Sequence, residues 1–211
     1  MKTDFVKLRT KVFGIVEGIS LVNPEYYELR KLLTFSEQYH NGSRKDGTPE
    51  FSHQLEMLAF ALTFHESLSK PLDVYMAVVS HDLLEDYPEC EGMLSTMFPK
   101  TQQYSRRLAK YKVNQLNEYS AYFEGVAQCE VCSVVKLIDR VHNLSTAPGV
   151  FETKKILEYC NEVDTYFMNM LKTARDVFGQ RSVYETLKFM LQTQVHTIRA
   201  LLQTESANEN S

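Results

Sequence analysis

The sequence predicts an all-α protein, a helical bundle of about eight to ten helices in a single domain. Apolar residues recur at three- and four-residue intervals along nearly the whole chain, which is the period of one helix face. No stretch sustains the strict alternation, bounded by turn residues, that a half-buried strand needs. Breaks containing Gly, Pro and Asn cut the periodic chain into helix-sized pieces and so set the number of helices.

Taken in order, Phe5, Leu8, Val12, Ile15, Val16 and Ile19 share one face of a first helix. Asn23-Pro24 reads as the N-cap and first residue of a second, which passes through Tyr27, Leu29, Leu32, Leu33 and Phe35 to about Tyr39. The segment from His40 to His53, HNGSRKDGTPEFSH, is the longest polar, Gly-containing interruption. A third helix is expected over 53–66, and a fourth from Pro71 to Asp86, closed by Tyr87-Pro88. Shorter helices follow near 90–98, stopped by Pro99, and near 101–111. A helix over about 118–127 leads to VCSVVKLIDRVHNLST, which reads as one helix over 131–143. After Pro148-Gly149, helices over 152–177 and 181–203 complete a domain spanning residues 1–203. The polar tail TESANENS, residues 204–211, is expected to be disordered.

Composition narrows the function classes. A chain of 211 residues can bury about 70% of its unfolded surface without staples. Its 44% apolar and 24% charged residues are ordinary for a globular protein. A net charge of -4 argues against sequence-independent duplex binding, so no nucleic-acid partner is expected. No apolar run approaches the ~18 residues of a membrane span. The N-terminus, MKTDFVKLRTKVF, is charged throughout and lacks the apolar stretch of a signal peptide, so no membrane partner and a cytoplasmic location are expected. Cys129 and Cys132 form a CxxC. No second pair exists to complete a structural zinc site, so all four cysteines read as reduced core or half-buried thiols. Homo-oligomer formation is left open.

Three segments carry chemistry. His81-Asp82 and Glu85-Asp86 lie one turn apart on a predicted helix, so His81 should sit over Glu85 and Asp82 over Asp86. Three acids and an imidazole among apolar neighbours are costly to bury unless they bind something. Asp139 lies at the heart of the apolar helix VVKLIDRVHNL, with Asn143 one turn on, and His53 ends the polar loop. Singly, each has a plainer reading: a solvated helix end, a buried Asp139–Arg140 or Asp139–His142 pair, and a helix cap. Together they offer two imidazoles and two carboxylates. That mixed set suits an octahedral Mn²⁺-type ion better than tetrahedral structural zinc. Ligands spread over separate helices are what a bundle can converge on one point.

RKDGTPEFSH, HDLLED and KLIDRVHN, in that order within residues 25–150, resemble the hydrolase domain of the RelA/SpoT family and its small stand-alone relatives. These are HD-superfamily enzymes of the stringent response that remove the 3′-pyrophosphate of the alarmones ppGpp and pppGpp. The resemblance implies an HD-domain bundle holding one Mn²⁺ per chain through His53, His81, Asp82 and Asp139. It makes Glu85 and Asp86 the catalytic pair that positions and activates water. It places Arg44 and Lys45 in the nucleotide pocket and Asn143 and Thr146 on the nucleoside. The implied partner is a guanine nucleotide alarmone, and the products are GDP or GTP plus pyrophosphate. Four positions depart from the family's pattern. The loop between His40 and Arg44 is one residue shorter and lacks its Gln. Tyr87 replaces a small residue, Ser145 stands where Arg is common, and Gln54 replaces a proline.

The expected mechanism follows from those residue types. A divalent ion polarises a phosphoryl oxygen and lowers the pKa of bound water, Glu85 and Asp86 orient that water, and Arg44 and Lys45 supply cations. His40 reads as a loop-shaping residue, His65 and His196 as bystanders, and Lys154-Lys155 as a solvated helix face. Two alternatives remain. One is an HD phosphohydrolase of another nucleotide: a nucleoside monophosphate, a dinucleotide cofactor phosphate or a cyclic nucleotide. The other is a catalytically idle HD fold that binds a nucleotide or protein, which would have no need of Glu85-Asp86.

Overall fold

A computed structural model describes residues 4–110 and 116–209. The first three helices are α1 (Phe5–Val22), α2 (Tyr27–Tyr39) and α3 (Ser52–Leu62). They are followed by α4 (Pro71–Ser80), α5 (Leu83–Asp86), α6 (Glu91–Met97) and α7 (Pro99–Leu108). The last five are α8 (Leu116–Ala127), α9 (Glu130–Thr146), α10 (Thr153–Glu162), α11 (Met168–Val177) and α12 (Arg181–Glu209). α4 and α5 are one helix interrupted at His81-Asp82, and α10 continues through a π-turn, Val163–Phe167, into α11. The result is the expected all-α bundle of eight to ten helices. No strand forms among the described residues, and no helix there is long and apolar enough to cross a membrane.

The bundle is built around α9, which packs against α3, α4, α7, α8, α10, α11 and α12. Val131 to Val141 are buried without interruption, so Lys136, Asp139 and Arg140 lie inside the protein. Charges there must be paired to be tolerated. α3 and α4 pack on each other and both on α9. Three helices therefore meet where the polar residues of the three segments lie.

Four local expectations are corrected. Asn23 does not cap the second helix; its Nδ2 donates to Glu25 Oε1 at 3.0 Å, and a single 3-10 turn, Pro24–Tyr26, precedes α2. The third helix ends at Leu62 rather than 66, and a short 3-10 turn, His65–Ser67, follows. The helix expected from Pro71 to Asp86 breaks because His81 Nδ1 donates to Val78 O at 2.8 Å. That carbonyl is the acceptor the Asp82 amide would use in a continuous helix, so side chain competes with backbone. Asp82 itself takes φ -107° and ψ -7°. Finally, helical backbone runs through 204–209, where a disordered tail was expected. Glu and Ala are good helix formers, and no Gly or Pro intervenes to stop α12. The helix expected over 101–111 instead spans Pro99–Leu108, with Ala109 extended; residues 111, 210 and 211 lie outside the described residues.

The polar segment before α3 folds into a small hairpin-like loop with a bridge between Ser43 and Pro49. Arg44 N donates to Thr48 O at 2.8 Å and Glu50 N to Gly42 O at 3.0 Å. Gly47 closes the turn at φ 79°, which residues bearing a Cβ avoid. Asp46 Oδ1 accepts from both Thr48 N (2.9 Å) and Thr48 Oγ1 (2.6 Å), so it braces the loop.

Candidate metal centre

Each ligand candidate is delivered by a different part of the three-helix junction. His53 stands in the first turn of α3, His81 and Asp82 at the break after α4, and Asp139 in the middle of α9. Their donor atoms converge. His53 Nε2 lies 3.3 Å from His81 Nε2 and 3.5 Å from Asp139 Oδ1. His81 Nε2 lies 3.6 Å from Asp82 Oδ2 and 3.9 Å from Asp139 Oδ1. Two donors about 2.2 Å from one ion stand about 3.1 Å apart at a right angle and about 4.4 Å apart across it. The observed spacings fall inside that range. His53, His81 and Asp82 offer ligand atoms all within 4.8 Å of one another and could hold a metal ion; Asp139 joins them through its approaches to the two imidazoles.

Hydrogen bonding fixes which nitrogens face inward. His81 spends its Nδ1–H on Val78 O, so its Nε2 presents a lone pair. His142 Nε2 donates to Glu56 Oε2 at 2.7 Å, which leaves His142 Nδ1 to accept from His53 Nδ1 at 3.0 Å. His53 therefore also turns an Nε2 lone pair inward. Two such lone pairs 3.3 Å apart repel each other unless a cation lies between them. Burial, the largest influence on His53, pushes its pKa down to about 4, against the opposing pull of the nearby Asp139 carboxylate. It is thus neutral and available as a ligand at neutral pH.

The two carboxylates are held ionised. Burial works against both. For Asp82 the charge His81 would carry if protonated, and the bond from His40, act against it and hold the carboxyl below the usual range. Asp82 accepts from His40 Nε2 on Oδ1 (3.0 Å) and from Gln54 Nε2 on Oδ2 (2.8 Å). For Asp139 the Lys136 ammonium, 3.1 Å from Oδ2, has the largest lowering effect, and Asn143 Nδ2 donates to Oδ1 at 2.6 Å. Two ionised carboxylates facing imidazole lone pairs make a pocket of negative potential, the donor set a divalent cation needs.

Glu85 and Asp86 lie exposed just past Asp82. Glu85 Oε2 accepts from the Lys110 amide at 2.8 Å. Partial burial, with Asp82, Glu85 and Glu50 nearby, raises the Asp86 carboxyl to about 6. Tyr87 donates to Glu50 Oε2 at 2.8 Å, pinning the hairpin loop beside this pair.

A cleft of about 510 Å³ includes Glu56 and His142 in its lining. Arg44, Lys45 and Thr146 line it too, together with Ser145. Lys45 also sits 4.7 Å from the centre of the Phe151 ring. The loop and the end of α9 thus meet as the sequence suggested. Asn143, expected as a nucleoside contact, donates from Nδ2 to Asp139 Oδ1.

Sequence reasoning missed the residues that orient the ligands. Glu56 and His142 each lie three residues past a ligand candidate, His53 and Asp139, and so share its helix face. That spacing was the available signal. His40, read as a loop residue, and Gln54, noted only as a replacement for proline, both hold Asp82. Neither of the plainer pairings of Asp139 forms: Arg140 pairs with Glu162 and His142 turns to His53. Compared with known proteins, the chain matches no family model. No curated protein matches it significantly either.

Proposed function

We propose that this chain is a metal-dependent phosphohydrolase of the HD type whose substrate is a guanosine alarmone carrying a 3′-pyrophosphate. The observation that supports it most is the convergence of His53, His81, Asp82 and Asp139, with both imidazole Nε2 atoms turned inward by bonds at their Nδ1 atoms. A divalent ion such as Mn²⁺, one per chain, would be held by these four residues and would supply Lewis-acid polarisation of a phosphoryl oxygen and of water.

The chain's own residues do the rest. Asp86, with its carboxyl near 6 and at the rim, is suited to take a proton from water attacking at phosphorus. Glu85, tied to the Lys110 amide, orients its neighbour. Arg44 and Lys45 offer cations to the nucleotide in the adjoining cleft, and the Arg44 guanidinium can stack on a purine. Attack at the 3′ phosphorus breaks its bond to the ribose oxygen, which leaves GDP or GTP and pyrophosphate.

The test is a substrate panel with manganese-loaded protein, measuring pyrophosphate against orthophosphate release. Pyrophosphate from ppGpp or pppGpp is expected. Orthophosphate from a nucleoside monophosphate or a dinucleotide cofactor phosphate, or a nucleoside monophosphate from a cyclic nucleotide, with no pyrophosphate from alarmones, would overturn the substrate and leave the HD chemistry standing. Turnover of none of them would overturn the enzyme reading.

A further inference from the structure

The CxxC lies far from the metal centre in role but on the same helix as Asp139. Cys129 is the N-cap of α9, with extended φ -123° and ψ 117°. Its sulfur accepts from the Cys132 amide at 3.4 Å, as an N-cap side chain should. Cys132 stands three residues on and is fully buried, its sulfur 3.9 Å from Tyr104 O, whereas Cys129 is only partly buried. One thiol thus faces outward and its neighbour waits behind it. Residues three apart across a first helical turn have Cα atoms about 5–6 Å apart, which a disulfide spans without strain.

The surroundings favour a thiolate at Cys129. The Cys132 thiol bonds to it, burial opposes, and the amides of Cys132 and Val131 and the Arg107 cation add to the first effect. Together they bring Cys129 down to about 6. Arg107 is held in place by its bond to Gly125 O, 3.2 Å long. Cys132 is pushed the opposite way, first by its bond to Cys129 and then by burial. The other two thiols, Cys90 and Cys160, are buried, and burial raises both.

We propose that Cys129 and Cys132 form a redox-active dithiol that reduces low-molecular-weight organic disulfides and closes to an intrachain disulfide at the start of α9. The Cys129 thiolate attacks one sulfur of the disulfide and forms a mixed disulfide, and the other sulfur leaves as a thiolate that takes up a proton. Cys132 then loses its proton to water and attacks the Cys129 sulfur, expelling the second small thiol. Two protein thiols are oxidised to one disulfide, and one small disulfide is reduced to two thiols. The bond would clamp the first turn of the helix that carries Asp139 seven residues further on, about 10 Å along the axis.

The experiment uses the full chain, reduced and then treated with oxidised glutathione, followed by intact mass and peptide mapping. Wild type should lose two hydrogens and carry a 129–132 disulfide. Cys132→Ser should stop at a glutathione mixed disulfide on Cys129. Cys129→Ser, which keeps a good N-cap, should form neither. With iodoacetamide at neutral pH, Cys129 should alkylate at least about tenfold faster than Cys90 or Cys160. Alkylation of Cys129 no faster than Cys90 would overturn the proposal, as would wild-type protein that stays at the mixed disulfide.

Discussion

At the residue scale, the proposed centre divides into groups that would hold an ion and groups that would act on water, and mutation separates them. Asp82→Asn or Asp139→Asn removes a ligand charge and should abolish Mn²⁺ binding in titration calorimetry. Glu85→Gln or Asp86→Asn should leave binding intact while lowering turnover about 10²-fold or more, the usual worth of a general base. Near-normal turnover in both would remove these two from the mechanism. Glu56 provides a sharper test of the orienting chain. Its bond to His142 Nε2 fixes the His142 tautomer, which in turn fixes His53. Glu56→Gln should weaken Mn²⁺ binding about ten- to hundredfold, as loss of such outer partners typically does. Unchanged affinity would mean that His53 needs no such support.

At the element scale, the hairpin loop and the break in the α4–α5 helix would place the proposed chemistry. Gly47 sits at φ 79°, so Gly47→Ala forces a Cβ into the left-handed region at a cost of about 1 kcal/mol. The loop carrying Arg44 and Lys45 should loosen. KM should then rise while Mn²⁺ affinity holds, measured by steady-state kinetics beside calorimetry; a fall in Mn²⁺ affinity instead would tie the loop to the ion. Helices were readable because the three- to four-residue period is set by burial of one face in the core, and Pro71 marks a start that the fold keeps. The break at His81 was not readable. It arises from one side chain taking a backbone acceptor, and apolar periodicity carries no trace of that. The candidate ligands could be picked out by residue type and order, whereas the partners of those residues depend on which helix faces meet. Glu56 and His142 are 86 positions apart in the chain and 2.7 Å apart in space.

At the scale of the whole molecule, three helices from separate parts of the chain must close on one another for the candidate ligands to meet, so the proposed ion binding would be coupled to folding. A ligand bound only by the folded state adds about 2.7 kcal/mol at a hundred times its Kd. For a chain of this size that should raise Tm by about 5–10 °C in saturating Mn²⁺. The rise should vanish with chelator and be absent in Asp139→Asn. A Tm indifferent to Mn²⁺ would mean that the junction closes without an ion. The most direct measurement is a crystal structure of the Mn²⁺-loaded protein with anomalous scattering at the manganese edge. One peak per chain should lie about 2.0–2.4 Å from His53 Nε2, His81 Nε2 and a carboxylate oxygen each of Asp82 and Asp139. No peak at the junction, or an ion that leaves His53 out of its ligand set, would contradict the account.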